Sequence, residues 1–176
     1  TKRFTSALLQ DDTIITPEGP QNISANINNT IAQILARQQS NGSFGRWNNG
    51  DTQPNSATYT LSTYVYSALL SLKSMATNPT QLDNALERVE AHLWDYRTLS
   101  QTAFLRYLSE KSAAGRPLTA GEKTELTTIN PLKVPYGGLL RYAIAVYQKD
   151  ETNAAKWKQF ATIPTNQDWN DTSVFI

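Results

Sequence analysis

Residues Arg37 to Asp51 read RQQSNGSFGRWNNGD and join two segments that have the hydrophobic spacing of α-helices. In the first segment, isoleucines recur every three or four residues, as on one face of an amphipathic helix: Ile23, Ile27, Ile31 and Ile34. A plain loop would need polar residues and one glycine, whereas this stretch also carries Phe44 and Trp47. The pair of aromatic residues therefore predicts a structured turn.

We expect this turn to fasten one helical hairpin to the next. Glycine allows the positive φ that ends many helices, glutamine can bond freed backbone groups, and aromatic rings can cover helix ends. The predicted turn residues are Gln38, Gly42, Phe44, Gly45 and Trp47. Burial of Trp47 predicts that Trp47→Ala costs about 3–5 kcal/mol of stability.

Apolar spacings of three and four continue along the chain, while the alternation typical of strands is scarce. Residues 57–75 have two apolar faces, one running from Leu61 to Met75 and the other formed by Tyr59, Tyr66 and Leu70. The next helix has a single stripe (Leu82, Leu86, Val89 and Leu93) behind the start signal Asn78-Pro79. A helix with two apolar faces is expected to be an inner helix, and one with a single stripe an outer helix.

Later segments carry further helix signals. Capping boxes are predicted at Thr98/Gln101 and at Thr119/Glu122. Residues 139–147 are apolar around much of the helix circumference, and shorter helical faces occur at Phe4, Ala7 and Leu8 and at Ala154, Trp157 and Ala161. About eight helices with short connections predict an all-α fold of antiparallel helical hairpins.

Composition narrows the classes of function. The 176 residues include 16 basic and 15 acidic side chains, so neither a nucleic-acid nor a membrane-surface partner is indicated. The absence of cysteine excludes disulfides, thiolate metal sites and a cysteine nucleophile within this sequence. We expect no metal and no cofactor. The sequence starts at Thr1 and ends on apolar residues, which suggests one helical domain, residues 1–176, excised from a longer chain.

Gln38 to Trp47 resembles the Q-x-x-x-G-x-F-G-x-W turn of alpha/alpha-toroid proteins. That superfamily includes terpene cyclases, protein prenyltransferases and the thioester domains of complement and alpha-2-macroglobulin proteins. Thr60 to Leu70 is similar to the W-L-T-A-Y-V-x-x-F-L helix of bacterial alpha-2-macroglobulins, with Tyr59-Thr60 in place of the tryptophan. The resemblance covers residues 31–158 and is specific only between residues 38 and 72. It implies a partial alpha/alpha toroid.

The resemblance further implies a secreted or periplasmic protease trap, in which this segment is scaffold without a catalytic residue. Its partners would be the target protease and neighbouring domains, with a membrane reached only through an anchor outside the segment. The family's thioester joins the cysteine and glutamine of a Cys-x-Glu-Gln motif, which this chain lacks. Either the motif lies outside the segment or the protein is a thioester-less member. Pro135-Tyr136-Gly137-Gly138-Leu139 resembles P-Y-G-C-L, but its position downstream of the turn indicates chance.

Two other functions stay open. A toroid enzyme acting on polysaccharide would need two carboxylates facing each other across a cleft, for which the candidates are Asp51, Asp95 and Glu110. One acting on terpene would need a run such as D-x-D-D, and the nearest pair, Asp11-Asp12, lacks the rest of that run. A helical protein-binding module would instead need an exposed apolar or aromatic groove. Three tyrosines are candidates for a binding surface, although such residues more often fill the space between helices: Tyr59, Tyr64 and Tyr66.

The single histidine, His92, is not predicted to be functional. Arg88 and Tyr96 lie one turn away from it, and no acidic neighbour at helical spacing is predicted to activate it. We expect a surface or half-buried position for its ring.

Overall fold

The computed structural model describes residues 13–17, 19–45 and 54–160. The described elements are β1 (Thr13–Thr16), β2 (Gly19–Asn22), α1 (Ile23–Leu35), α2 (Ser56–Leu72), α3 (Pro79–Asp95), α4 (Gln101–Ala113), α5 (Ala120–Thr128), α6 (Gly137–Tyr147) and α7 (Glu151–Lys158). Short 3-10 turns occupy Lys73–Met75, Arg97–Leu99 and Pro131–Lys133. The all-α prediction is confirmed, and the toroidal arrangement stays a prediction.

One small sheet was not predicted. Strands β1 and β2 form an antiparallel hairpin in which Thr13 faces Asn22 and Thr16 faces Gly19. Gly19 closes the hairpin with a φ of 111°, a conformation that side-chain-bearing residues rarely adopt. Asn22 then ends β2 and caps α1, because its Oδ1 accepts a hydrogen bond from Ala25 N at 2.7 Å.

The described residues form two compact units, one that ends at Tyr107 and one that begins at Leu108, which we call the N-terminal and C-terminal units. The prediction of a single domain over residues 1–176 stays a prediction.

In the N-terminal unit, α3 follows the predicted pattern. Its four stripe residues, Leu82, Leu86, Val89 and Leu93, are fully buried. Asn78 caps the helix by accepting a hydrogen bond from Gln81 N at 3.0 Å, and Pro79 is the first helical residue. The start signal and the apolar face of α3 are both confirmed.

Of the two apolar faces predicted for α2, only the one with Tyr59 and Tyr66 is buried, while the face from Leu61 to Met75 is not. Leu61, Val65 and Leu72 are only partly buried, and Met75 is exposed. The buried face carries six residues of mixed polarity: Thr58, Tyr59, Ser62, Thr63, Tyr66 and Leu69. Hydroxyl groups can be buried here because each has a hydrogen-bond partner.

The start of α4 corrects a second expectation. The predicted Thr98/Gln101 capping box is wrong, because Thr98 lies inside the 3-10 turn before the helix. Ser100 caps α4 instead: its Oγ accepts from Ala103 N at 3.3 Å, and its carbonyl oxygen accepts from Phe104 N at 2.9 Å.

In the C-terminal unit, the Thr119/Glu122 capping box at the start of α5 is confirmed. Thr119 Oγ accepts from Glu122 N at 3.1 Å, and Glu122 Oε2 accepts from Thr119 N at 2.7 Å. The same carboxylate forms a buried ion pair with Lys111 of α4. The capping box therefore also joins two helices of this unit.

Helix α6 is buried on one face only, which corrects its prediction as an inner helix. Leu139, Val146 and Tyr147 are exposed. Gly137 and Gly138 lie on the buried face, and a Cβ at Gly138 would lie 2.4 Å from Cβ of Phe160. Glycine at this position therefore allows close packing of α6 against the residue that follows α7, which is a structural reason for the Gly-Gly pair.

Candidate functional site

The interhelical turn is built around Gly42. The predicted positive φ is observed at 83°, and Gly42 N donates to the carbonyl of Gln39 at 2.9 Å. Gln39 N donates to the carbonyl of Ser43 at 2.9 Å, and Gln38 pairs with Phe44 as an isolated antiparallel bridge. These bonds fold the chain back on itself after α1.

The Gln38 side chain fastens this turn to α3. Its Nε2 donates to the carbonyl of Ala85 at 2.9 Å and to that of Gly42 at 3.1 Å. Its Oε1 accepts from Arg88 Nε at 3.0 Å. A glutamine amide has both donor and acceptor atoms. This one side chain therefore bonds to the turn and to a helix about 50 residues later in the chain.

Phe44 fastens the turn to α2. Its side chain is 2% exposed, and its backbone N–H donates to Ser62 Oγ at 2.9 Å. Gly45 is half-buried. Trp47 lies outside the described residues, so its part in covering the helix ends stays a prediction.

Ser62→Ala is expected to destabilise the fold by about 1–3 kcal/mol, because it leaves the buried N–H of Phe44 without an acceptor. Ser71→Ala is the matched control on α2. Both serines donate to the carbonyl four residues earlier, but Ser71 is exposed and should change stability by less than about 0.5 kcal/mol. Urea unfolding measures the stability of both variants. Equal losses of stability would show that the Phe44–Ser62 hydrogen bond contributes nothing.

The three candidate tyrosines do not form one surface. Tyr59 and Tyr66 are fully buried, so their packing between helices is confirmed and the alternative of a ligand-binding surface does not apply to them. Tyr59 OH donates to the carbonyl of Leu93 at 2.8 Å, and Tyr66 OH donates to Glu90 Oε1 at 2.9 Å. Both rings pack α2 against α3. Tyr64 is 41% exposed, with the Arg106 guanidinium 4.5 Å from its ring centre.

His92 is buried rather than exposed or half-buried, with 1% of its surface accessible. Its ring lies among the rings of Tyr59 and Tyr96, at centroid distances of 6.2 and 4.9 Å. In the part of the chain that the structure describes, neither ring nitrogen has a hydrogen-bond partner. Burial lowers the pKa of His92, against smaller raising effects of Asp95 and the backbone of Asn41. Asp95, three residues later, is the acidic neighbour that the sequence analysis missed.

Stability should fall as the pH drops below about 6.5, the pKa of an exposed histidine, because the unfolded chain then binds a proton that buried His92 does not. The loss reaches at most about 1.4 kcal/mol per pH unit and stops once the pH falls below the lowered pKa of the folded protein. His92→Phe keeps an aromatic ring and removes this titration. Urea unfolding at pH 7.5 and 5.5 should show a smaller loss for His92→Phe than for the unaltered chain. Identical losses of stability in the two proteins would show that His92 does not cause the pH dependence.

The candidate carboxylates fall in different parts of the chain. Asp95 belongs to the N-terminal unit and Glu110 to the C-terminal unit, while Asp11, Asp12 and Asp51 lie outside the described residues. Within the described ranges, no group of three His, Asp or Glu side chains is placed to hold a metal ion.

A cavity of about 620 Å³ lies within the C-terminal unit, among α5, the 3-10 turn that follows it, α6 and α7. We call it the α5–α7 cavity. Its apolar wall includes Leu118, Leu126, Ile129, Ile144 and Trp157, and its charged residues are Lys123, Arg141, Asp150 and Lys156. The volume lies in the usual range for small-molecule sites, and an apolar wall with a few charged groups is typical of them.

Arg141, on the buried face of α6, is the most unusual group of this cavity. The residue is 8% exposed. Its Nη2 donates to the carbonyl of Ile129 at 3.2 Å, while its buried Nε has no partner among the described residues. The guanidinium carbon lies 5.5 Å from the centre of the Trp157 ring. Burial lowers the pKa of Arg141, although an arginine side chain stays protonated in proteins.

Sequence reasoning did not single out Arg141. The available signal was a single cation inside an otherwise apolar helix segment, Leu139 to Tyr147. Periodicity alone does not show whether such a cation reaches solvent along its aliphatic stem or points into the protein.

Protein-family models, curated proteins and solved structures contain no match to this chain. The macroglobulin-like family therefore stays a prediction that rests on the residues quoted above. In the part of the chain that the structure describes, no helix has both the length and the apolar character needed to span a membrane.

Proposed function

We propose that this chain is a non-catalytic helical scaffold within a macroglobulin-like protease-trapping protein that is secreted or periplasmic. Its partners in that setting are the target protease and the neighbouring domains of the same chain. The proposal has two parts with different support. The hydrogen bonds of the interhelical turn support the scaffold role, and the resemblance of residues 38–72 supports the protease-trapping context.

The Gln38 amide carries the scaffold part. Gln38 bonds the turn to Ala85 and Arg88 of α3, and the turn residue Phe44 bonds to Ser62 of α2. The residues of the turn motif therefore hold three consecutive helices together, which is a structural use of the motif. None of these groups is a nucleophile paired with a base.

The enzyme alternative has less support. It requires two carboxylates facing each other across a cleft. Among the described residues, the α5–α7 cavity has one carboxylate, that of Asp150, which caps α7 through hydrogen bonds from Asn153.

The alternative of a protein-binding module is favoured by the exposed apolar face of α6. Leu139, Val146 and Tyr147, with Tyr136 just before the helix, place large apolar side chains in solvent. The same face would serve a scaffold that contacts a neighbouring domain, so this observation is compatible with both functions.

The scaffold proposal predicts that the isolated chain forms no covalent adduct with an active protease. If the full-length protein carries an upstream Cys-x-Glu-Gln motif, it should form such an adduct, consume methylamine and release a thiol. Denaturing mass spectrometry measures the adduct, and a protease inactivated at its active site is the control. A covalent conjugate formed by the isolated chain would contradict the scaffold role, and a full-length protein that captures no protease would contradict the trapping context.

A further inference from the structure

We propose that the α5–α7 cavity binds a small organic acid, a carboxylate carried on an apolar body, with the Arg141 guanidinium as its anion-binding group. This inference goes beyond the scaffold role and does not depend on it, because the cavity lies within the C-terminal unit and involves no residue of the interhelical turn.

Arg141 provides the first step of the argument. A buried cation is costly unless it is paired with an anion or fully hydrogen-bonded. Arg141 is more than nine-tenths buried, and its one hydrogen bond goes to the carbonyl of Ile129. Within the described residues it has no carboxylate partner, and its Nε has no acceptor. An anion entering the cavity would compensate this charge.

The chemistry of the cavity wall selects the kind of anion. A guanidinium presents parallel N–H donors that match the two oxygens of a carboxylate. Leu126, Ile144 and Trp157 surround the site with apolar surface. A ligand with an apolar body gains from burying that body against these side chains, whereas a fully hydrated inorganic anion does not.

The other charged residues that line the cavity also favour a negatively charged ligand. Lys123 and Lys156 line the cavity and form no ion pair in the described part of the chain, and Lys156 Nζ lies 4.9 Å from the centre of the Trp157 ring. Asp150 is the one opposing charge, and its carboxylate is occupied by the backbone and side-chain amides of Asn153. Three cations against one capped carboxylate leave a site that attracts anions.

The first test compares 4-phenylbutyrate with its uncharged amide, 4-phenylbutyramide, by isothermal titration calorimetry on the unaltered chain. The acid should bind at least about tenfold more tightly than the amide, the scale of one charge-assisted hydrogen bond. Inorganic phosphate should bind more weakly than the acid, because it has no apolar body. Equal binding of acid and amide, tighter binding of phosphate, or no binding of the acid would each overturn the proposal.

Variants then locate the site. Arg141→Met should abolish the preference for the acid over the amide. Lys156→Gln should weaken binding of the acid by about twofold to fivefold, as expected for a partly screened charge. Lys158→Gln is the matched control, since Lys158 lies on the same helix turn but does not line the cavity. If Arg141→Met fails to fold, the two lysine variants still decide: equal effects at Lys156 and Lys158 would overturn the assignment.

Discussion

Glu122→Gln is expected to destabilise the protein by about 3–5 kcal/mol, because it leaves a buried ammonium group without its counter-charge. Lys111 Nζ lies 2.9 Å from Glu122 Oε1 and 3.1 Å from Oε2, and the two side chains are 6% and 3% exposed. The carboxylate also accepts the hydrogen bond from Thr119 N, and after the substitution a single amide oxygen would have to serve both Thr119 and Lys111.

A double-mutant cycle separates the ion pair from these other effects. Lys111→Met should also be strongly destabilising, but the double variant Lys111→Met/Glu122→Gln should cost clearly less than the two single changes added together. Urea unfolding followed by circular dichroism gives the four free energies. Strictly additive losses would show that the two charges do not stabilise each other.

The exposed pair Lys73–Asp83 is the control for burial. Its Nζ–Oδ1 distance is 2.6 Å, shorter than in the buried pair, but the two side chains are 41% and 36% exposed. Because solvent screens such pairs, Asp83→Asn should change the free energy of unfolding by less than about 1 kcal/mol. A loss comparable to that of Glu122→Gln would mean that burial is not what distinguishes the two pairs.

Gly42→Ala is expected to destabilise the protein by about 2–5 kcal/mol, the sum of two costs. Gly42 has a φ of 83°, where a side chain is strained. A Cβ there would also lie 2.1 Å from the carbonyl oxygen of Arg88, which is backbone of α3 and cannot rotate away. The turn would have to move from α3, which would weaken the bonds of Gln38.

Gly115→Ala separates these two costs. Gly115 has a similar φ of 72°, but a Cβ at this position meets no atom within 4 Å. The substitution should cost only the backbone strain, about 1–2 kcal/mol. Thermal and urea unfolding of both variants should show a clearly larger loss of stability for Gly42→Ala than for Gly115→Ala. Equal losses would show that α3 yields to the added methyl group.

Local signals in the sequence determined much of the helical framework. The four-residue stripe of α3, the Asn78-Pro79 start and the Thr119/Glu122 capping box are all present as predicted, and Gly42 has its positive φ. Each of these features depends on residues within one or two turns of each other. Spacing and backbone chemistry therefore suffice to predict them.

The candidate sites depended on more distant neighbours. His92 was predicted to be exposed or half-buried, but it is buried where α2 and α3 pack together, next to the Tyr59 ring. Tyr59 is buried as its place on an apolar face predicted, but its hydrogen bond to Leu93 of α3 was not foreseen. The sequence pattern ranks faces by hydrophobicity, so it missed a face on which serine and threonine hydroxyls are buried with their acceptors.

Taken by itself, the sequence determined where the helices lie, how several of them begin, and that the chain turns back at Gly42. The tertiary structure alone decided which face of α2 is buried, that Lys111 meets Glu122 away from solvent, and that Arg141 points into a cavity. The physical reason is range: a helix is stabilised by bonds between residues four apart, whereas burial of a side chain depends on which other helix covers it.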